Sequence, residues 1–195
     1  MSKQEWKPGN MIYPLPAVMV SVGNETEQNI ITIAWTGTIC TNPAMAYISV
    51  RPERYSYQFL EETKEFVINL TTEDLVKQTD YCGVKSGRDV DKWKEMQLTK
   101  GAAKKLQYAP IIEECPVNIE CEVVEIKKLG SHDMFLAKVV AVQVSEEYLN
   151  ENGKFELNQT GLLAYSHGEY LGLGQSLGTF GYSIRKDKAA SKRQK

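Results

Sequence analysis

Hydrophobic residues in this chain recur at every second position in one segment after another, and no other feature constrains its fold as tightly. Val18, Val20 and Val22 share one side of a short run. Ile31, Ile33 and Trp35 share a side of the next, opposite Thr32, Ala34 and Thr36. Ala44, Ala46, Ile48 and Val50 alternate with Met45, Tyr47, Ser49 and Arg51, and Phe66, Ile68 and Leu70 repeat the pattern. Val117, Ile119, Cys121 and Val123 alternate with Asn118, Glu120 and Glu122. Successive side chains of a β-strand point to opposite faces, so each run reads as a strand with one face toward a core. The run from Met134 to Val144 is nearly all apolar, which predicts a strand buried on both faces. Gly23-Asn24-Glu25 reads as a hairpin turn, Asn42-Pro43 as the break before the third strand, and Leu129-Gly130-Ser131 as the break between the two late strands.

Helical signals are few and short. Tyr55 to Glu62 places Tyr55 and Phe59 four apart. Glu73 to Asp80 follows Thr71-Thr72, either of which could cap it, with Gly83 placed to end it. Asp89 could cap a third helix presenting Trp93 and Met96. Many strands with short helices between them predict a mainly β chain, a barrel with peripheral helices. Residues 1–184 are expected to form one domain, and 185–195 a basic, disordered tail.

Several functions are excluded or unsupported. No apolar run approaches the roughly 20 residues that span a bilayer, and the first residues lack the apolar core of a secretory signal, so a cytoplasmic protein is expected. Cys40, Cys82, Cys115 and Cys121 form no Cys-x-x-Cys pair, and with only His132 and His167 beside them no metal site is expected. The tail carries six basic residues against one acid, so the remainder is more acidic than the overall net charge of −2. That balance argues against broad nucleic-acid binding. No Gly-x-Gly-x-x-Gly, P-loop or Gly-x-Ser-x-Gly motif is present. Chemistry would have to come from a bound cofactor.

Three stretches carry candidate chemistry, each with a plainer reading beside it. Ala34-Trp35-Thr36-Gly37-Thr38-Ile39-Cys40-Thr41-Asn42-Pro43 offers backbone N–H groups and hydroxyls to a polar heterocycle, or is a threonine-rich strand end and turn. Ser49-Val50-Arg51-Pro52-Glu53-Arg54-Tyr55-Ser56-Tyr57 sets two guanidinium groups and a hydroxyl ahead of a helix, as a phosphate site does, or holds two surface arginines paired with local acids. Gly83-Val84-Lys85-Ser86-Gly87-Arg88-Asp89-Val90-Asp91-Lys92-Trp93 could hold an anion or cover a ligand, or serve as a charged connector. His132 opens the long strand and could touch a cofactor or bond to Asp133 or backbone, whereas His167 falls in a turn and reads as exposed.

In this order, the stretches resemble the flavin-reductase-like family, especially its flavoredoxin-type branch. The matching residues include Trp35-Thr36-Gly37-Thr38, Arg51-Pro52-Glu53-Arg54-Tyr55-Ser56-Tyr57, Glu65-Phe66-Val67-Ile68-Asn69-Leu70 and Tyr81 through Trp93. Glu114-Cys115-Pro116-Val117-Asn118, Gly130-Ser131-His132-Asp133 and Gly178-Thr179-Phe180-Gly181-Tyr182-Ser183 continue the match, which runs roughly from Ile12 to Ser183. The resemblance implies a split β-barrel homodimer with one FMN per subunit near the interface. It implies that Ala34, Trp35, Thr36, Gly37, Thr38 and Cys40 lie against the flavin ring. By the same resemblance Ser49, Arg51, Arg54, Tyr55 and Ser56 hold the phosphate and ribityl chain, with Ser86 and Lys92 in the phosphate region. Hydride transfer from NADH or NADPH to FMN N5 is the implied chemistry, with His132 on the nicotinamide side. The alternative is an FMN electron carrier reduced by a partner protein. A third reading is a non-enzymatic barrel module without flavin.

Overall fold

The computed structural model describes residues 1–184; the basic tail lies outside them. The alternating runs become β2 (Val18–Gly23), β3 (Gln28–Ile33), β5 (Ala44–Val50), β6 (Glu65–Leu70), β9 (Val117–Lys128) and β10 (Asp133–Val144), after a short β1 (Leu15–Pro16). The stretch after Trp35, read as a strand end and turn, is itself a strand, β4 (Thr36–Thr41). Three helices intervene: α1 (Ser56–Thr63), α2 (Val76–Val84) and α3 (Lys92–Glu95). A ribbon of β7 (Lys100–Gly101) and β8 (Ile111–Ile112), and a C-terminal hairpin of β11 (Leu163–Ser166) and β12 (Glu169–Gly172), complete the strands. Among the described residues no helix is long and apolar enough to cross a membrane.

The main sheet has seven strands in the order β3-β2-β6-β9-β10-β5-β4, paired antiparallel throughout. Its edge strands β3 and β4 follow each other directly through Ala34 and Trp35, where the Ser49 N–H donates to the Trp35 carbonyl at 2.9 Å beyond the β4–β5 ladder, so the sheet curls into a split β-barrel. Bulges assist the curl. The β9–β10 register shifts between Leu136 and Ala137 and again between Val139 and Ala141, and the β4–β5 register shifts between Thr38 and Cys40. Val18, Val20, Val22, Ile31, Ile33, Ile48, Phe66, Ile68 and Phe135 fill the interior. Burying each such side chain contributes about 1.5–3 kcal/mol. The first hairpin turns at Asn24, whose Oδ1 accepts from the N–H groups of Thr26 and Glu27, both at 3.0 Å.

A second cluster lies outside the barrel. Met19, Ile30, Leu75, Cys82, Trp93, Leu98, Ile112 and Cys115 join the outer face of β2–β3 to α2 and α3. All six residues of β2 are therefore buried. The strand expected to be buried on both faces, β10, is not. It alternates buried and half-buried in its first half and then opens, with Val142 55% exposed. Among the described residues no helix packs on this second half; the segment around Leu106 and Ala109, against which Val140 packs, covers only part of the strand.

The helix ends also differ from expectation. Thr71 and Thr72 do not cap a helix: a 3₁₀ turn over Glu73–Leu75 precedes α2, and the Thr71 hydroxyl bonds to the Ala17 carbonyl instead. Gly83 sits inside α2, where a Cβ would come within 3.2 Å of Thr32 Cβ. A small residue is needed there for the helix to press on β3. Asp91, not Asp89, caps α3, accepting from the N–H groups of Trp93 at 3.0 Å and Lys94 at 3.3 Å.

Candidate functional site

The barrel splits where β3 and β5 end, and a groove opens there. One end is a cleft of about 260 Å³ whose lining includes Arg54, Ser56, Lys85, Ser86, Arg88 and Lys92. The other is a hollow of about 180 Å³ along Ile31 to Trp35, facing Ser49, Arg51 and His132. Ile31 and Arg54 border both, so the two adjoin. A larger recess of about 580 Å³ lies behind Gly87 and Arg88, but Glu25, Glu27, Asp89 and Asp91 line it. Arg88, Lys92 and Lys100 line it as well, so it lacks the net positive charge of the smaller cleft.

Lys92 dominates the basic end. Only 3% exposed, it donates from Nζ to the Ile30 carbonyl at 2.7 Å and the Cys82 carbonyl at 2.8 Å. Two neutral carbonyls leave a buried positive charge uncompensated, and among the described residues no carboxylate pairs with it. Burial pushes its pKa down to about 8, with Arg54 acting in the same direction and Cys82 against. Beside it, the buried Ser56 hydroxyl accepts from Asn29 Nδ2 at 2.9 Å and keeps its own proton free to donate. Gly87 lets the loop approach: a Cβ there would meet Asn29 Oδ1 at 2.3 Å and Tyr55 Cδ1 at 2.8 Å. Arg88 lies over the Tyr55 ring at 5.4 Å and donates from Nη1 to the Glu53 carbonyl at 3.2 Å. The Tyr55 hydroxyl is tied to Glu27 at 2.7 Å.

At the far end, the rings of Trp35 and His132 stand 4.4 Å apart, tilted by 43°. Ser131 Oγ lies 3.0 Å from His132 Nδ1. Burial first, then the Arg51 charge, hold His132 below the ordinary histidine value against the pull of Glu53, which favours neutral imidazole. The Asp133 carboxylate is not its partner; it is buried and accepts from the Tyr57 hydroxyl at 2.6 Å. Arg51 forms an exposed ion pair with Glu53 at 3.5 Å.

The structure thus gathers Ala34, Trp35, Ser49, Arg51, Arg54, Tyr55, Ser56, Ser86, Lys92 and His132 around one groove. Thr36, Gly37, Thr38 and Cys40 do not line it. They follow β4 along the sheet edge, where Thr36 Oγ1 donates to the Tyr47 carbonyl at 2.6 Å and Gly37 makes room for the Tyr47 ring. Asn29, Lys85 and Arg88 line the groove without having been singled out as site residues. Lys85 and Arg88 flank Ser86-Gly87, so the basic, glycine-containing loop was the available signal. Asn29 had none, because its role depends on a contact with Ser56 across 27 positions.

Comparison with known proteins gives a consistent answer. A family model described as the flavin reductase like domain matches residues 11–174. The fold is similar to the flavoredoxin of Desulfovibrio vulgaris (Miyazaki F), with a TM-score of 0.86 and 25% identity, covering 94% of this chain and 100% of that one. It is similar to the flavoredoxin from Methanosarcina acetivorans, with a TM-score of 0.85 and 28% identity over 95% and 100% of the two chains. A third similar structure is the FMN-binding protein from Thermus thermophilus with bound 1-cyclohex-2-enone. Its TM-score is 0.76 and its identity 26%, over 92% of this chain and 98% of that one.

Proposed function

Because this chain belongs to the flavin reductase like domain family, we propose that it binds FMN in the groove and works as an NAD(P)H-dependent flavin or acceptor oxidoreductase. The observation that carries this reading is the buried, uncompensated Lys92 ammonium beside the free Ser56 proton, with Arg54 and Arg88 around them. Such a donor set fits a phosphate dianion, which would supply the missing counter-charge and accept charge-assisted hydrogen bonds. FMN, when bound, supplies a two-electron centre that takes a hydride at N5 from a reduced nicotinamide.

The chain's own residues bind, orient and exclude water. Lys92, Ser56, Ser86 and Arg54 hold the phosphate end, with Tyr55 as its wall. Arg51, Ser49 and the Ala34–Trp35 backbone flank the ribityl chain and ring. Trp35 and His132 close the far end as a ring pair. A neutral His132 suits that part, since hydride transfer asks for no side-chain acid or base but for alignment. In this proposal Thr36, Gly37, Thr38 and Cys40 reach the ring only as part of a homodimer interface. The dimer is supported by exposed apolar residues at the bulges of the sheet, among them Ile39 at 47% and Val124 at 50% exposure. Cytoplasmic residence is part of the same proposal, and 1–184 would be one FMN-binding domain.

Similarity to two flavoredoxins supports a second reading, an FMN electron carrier reduced by a protein. One experiment separates the two: an anaerobic visible spectrum of the purified protein before and after NADH or NADPH. Rapid bleaching of a yellow sample is the expected result. A yellow sample that bleaches only with dithionite makes it a carrier, and a chain that stays colourless when FMN is supplied refutes both.

A further inference from the structure

Beyond β12 the chain leaves the body of the protein. Over residues 173–184 it forms no strand, every residue but Gly181 is exposed, and it ends in a 3₁₀ turn over Tyr182–Ile184. Its composition does not suit water. Residues 171–184 include no charged side chain, yet Leu173, Leu177, Phe180, Tyr182 and Ile184 all stand in solvent. Nor is the tip of this arm shapeless. The Tyr182 N–H donates to the Thr179 carbonyl at 2.9 Å, and the Tyr182 ring lies against Gly178, where a Cβ would come within 2.8 Å of it. The turn between them holds Phe180 wholly exposed. A preformed knob of aromatic and aliphatic side chains suits burial in an apolar pocket.

A recess of matching character lies at the other end of the chain. It measures about 330 Å³, and Met11, Ile12, Tyr13, Leu15, Trp35 and Tyr47 line it with no charged residue among them. Both ends of the groove and the larger recess behind Gly87 carry charged side chains, and the hollow under the C-terminal hairpin carries Asp80. An uncharged arm therefore fits the Met11 recess and would strand charges in the others. The arm of the same chain does not fill it, since the apolar side chains of that arm stay in solvent. The recess also continues the surface given to the dimer. Tyr47 pairs with Gly37 of β4, and Trp35 and Ser49 line both the recess and the ring end of the groove.

We propose that the C-terminal arm is exchanged between two copies of this chain. Residues 177–184 of one copy fill the Met11 recess of the other, with Phe180 as anchor, and close the ring end of that copy's groove beside Trp35. Two arms and two recesses related by a two-fold axis saturate each other and give a closed dimer. An aromatic side chain buries about 150–250 Å². Two such arms then supply a large part of the roughly 1,600 Å² of a standard interface. The proposal rests on the homodimer and FMN reading above, and makes the groove incomplete in a single chain.

The test uses the full chain, first without and then with FMN. Sedimentation of the FMN-free protein over a concentration series is expected to show a wild-type dimer. Phe180→Asp, a change at a side chain wholly in solvent within its own chain, is expected to weaken dimerisation about 100-fold or more, because each dimer loses the anchor twice. Met11→Lys, on the receiving side, should act in the same direction. Mixed in equal amounts, the two variants should pair at least about tenfold more tightly than either does alone, since one contact is then wild-type and Asp meets Lys in the other. A monomeric wild type, an undiminished Phe180→Asp dimer, or no gain on mixing overturns the exchange. FMN titration then reads the groove. Phe180→Asp should bind FMN about tenfold more weakly than the wild type, and unchanged affinity in a dissociated variant overturns the closing of the groove by the arm. A wild type that dimerises through the arm yet takes up no FMN refutes the FMN reading and leaves the exchange standing.

Discussion

The hairpins β2–β3 and β9–β10 share antiparallel geometry and one barrel interior, yet they are covered to very different extents. Outside β2–β3, Met19 and Ile30 are fully buried under α2 and α3. At the far end of β10, Val142 and Val144, which pair with Ile119 and Val117, are 55% and 37% exposed. The groove lies against the covered hairpin, and the covering elements create it. Packing α2 and α3 on β3 lays the Lys85–Asp91 loop across the strand, and the backbone carbonyl of buried Ile30 then receives Lys92. A helical layer added for burial has become one wall of the groove, whereas β9–β10 carries only a loop over Glu120 and leaves Val142 largely in water.

Breaking the covered side should have the largest effect. Ile30→Ala leaves the carbonyl that holds Lys92 but empties space between β3 and the helices. It should lower unfolding stability by about 2–5 kcal/mol, measured by urea denaturation of the FMN-free protein. A loss under about 1 kcal/mol would mean that the helices are not fastened through this cluster.

The second test concerns Lys92. Its pKa falls from 10.5 to about 8 on folding. Between those values the unfolded chain binds more protons, so stability rises as pH climbs through that window. Lys92→Met should abolish this contribution, leaving the FMN-free variant at least as stable as the wild type near pH 7, because an uncompensated buried charge has been removed. Its FMN affinity should nevertheless fall about tenfold or more, the usual value of a hydrogen bond to a charged group. A destabilised variant with normal FMN affinity would make Lys92 a purely structural tie.

How much of this was legible in the sequence follows from the same contrast. Inward faces announce themselves: Val18, Val20 and Val22, or Ala46, Ile48 and Val50, alternate as a barrel interior requires. Outer faces do not. Met19 and Val142 read alike as apolar strand residues, but Met19 lies in the cluster under α2 and α3, whereas Val142 stands near the open end of β10. Edge strand β4 was hidden because Thr36–Thr41 lacks a buried face and so carries no period. Glu120 sat among the polar positions of β9, yet it is fully buried, because its carboxylate accepts from the N–H groups of Lys104 at 2.8 Å and Lys105 at 2.7 Å in a loop folded over it. The basic end of the groove was readable from Arg54, Ser56, Ser86 and Lys92 as residue types. The meeting of Tyr13 with Tyr165, and of Tyr170 with Asp80, was not, since each pair is joined only by the fold.

The smallest effect sharpens the comparison from its bare side. Val142→Ser removes apolar surface that a single chain leaves in water, so within one chain it should cost about 0.5 kcal/mol or less. In the proposed homodimer that side chain is covered by a second copy, and the loss then includes a share of the interface. Stability of a dimer depends on protomer concentration, whereas that of an isolated chain does not. Thermal unfolding of wild type and variant should therefore coincide at high dilution and separate as concentration is raised, with the wild type gaining more. Curves that stay together at every concentration would place the second copy on some other face.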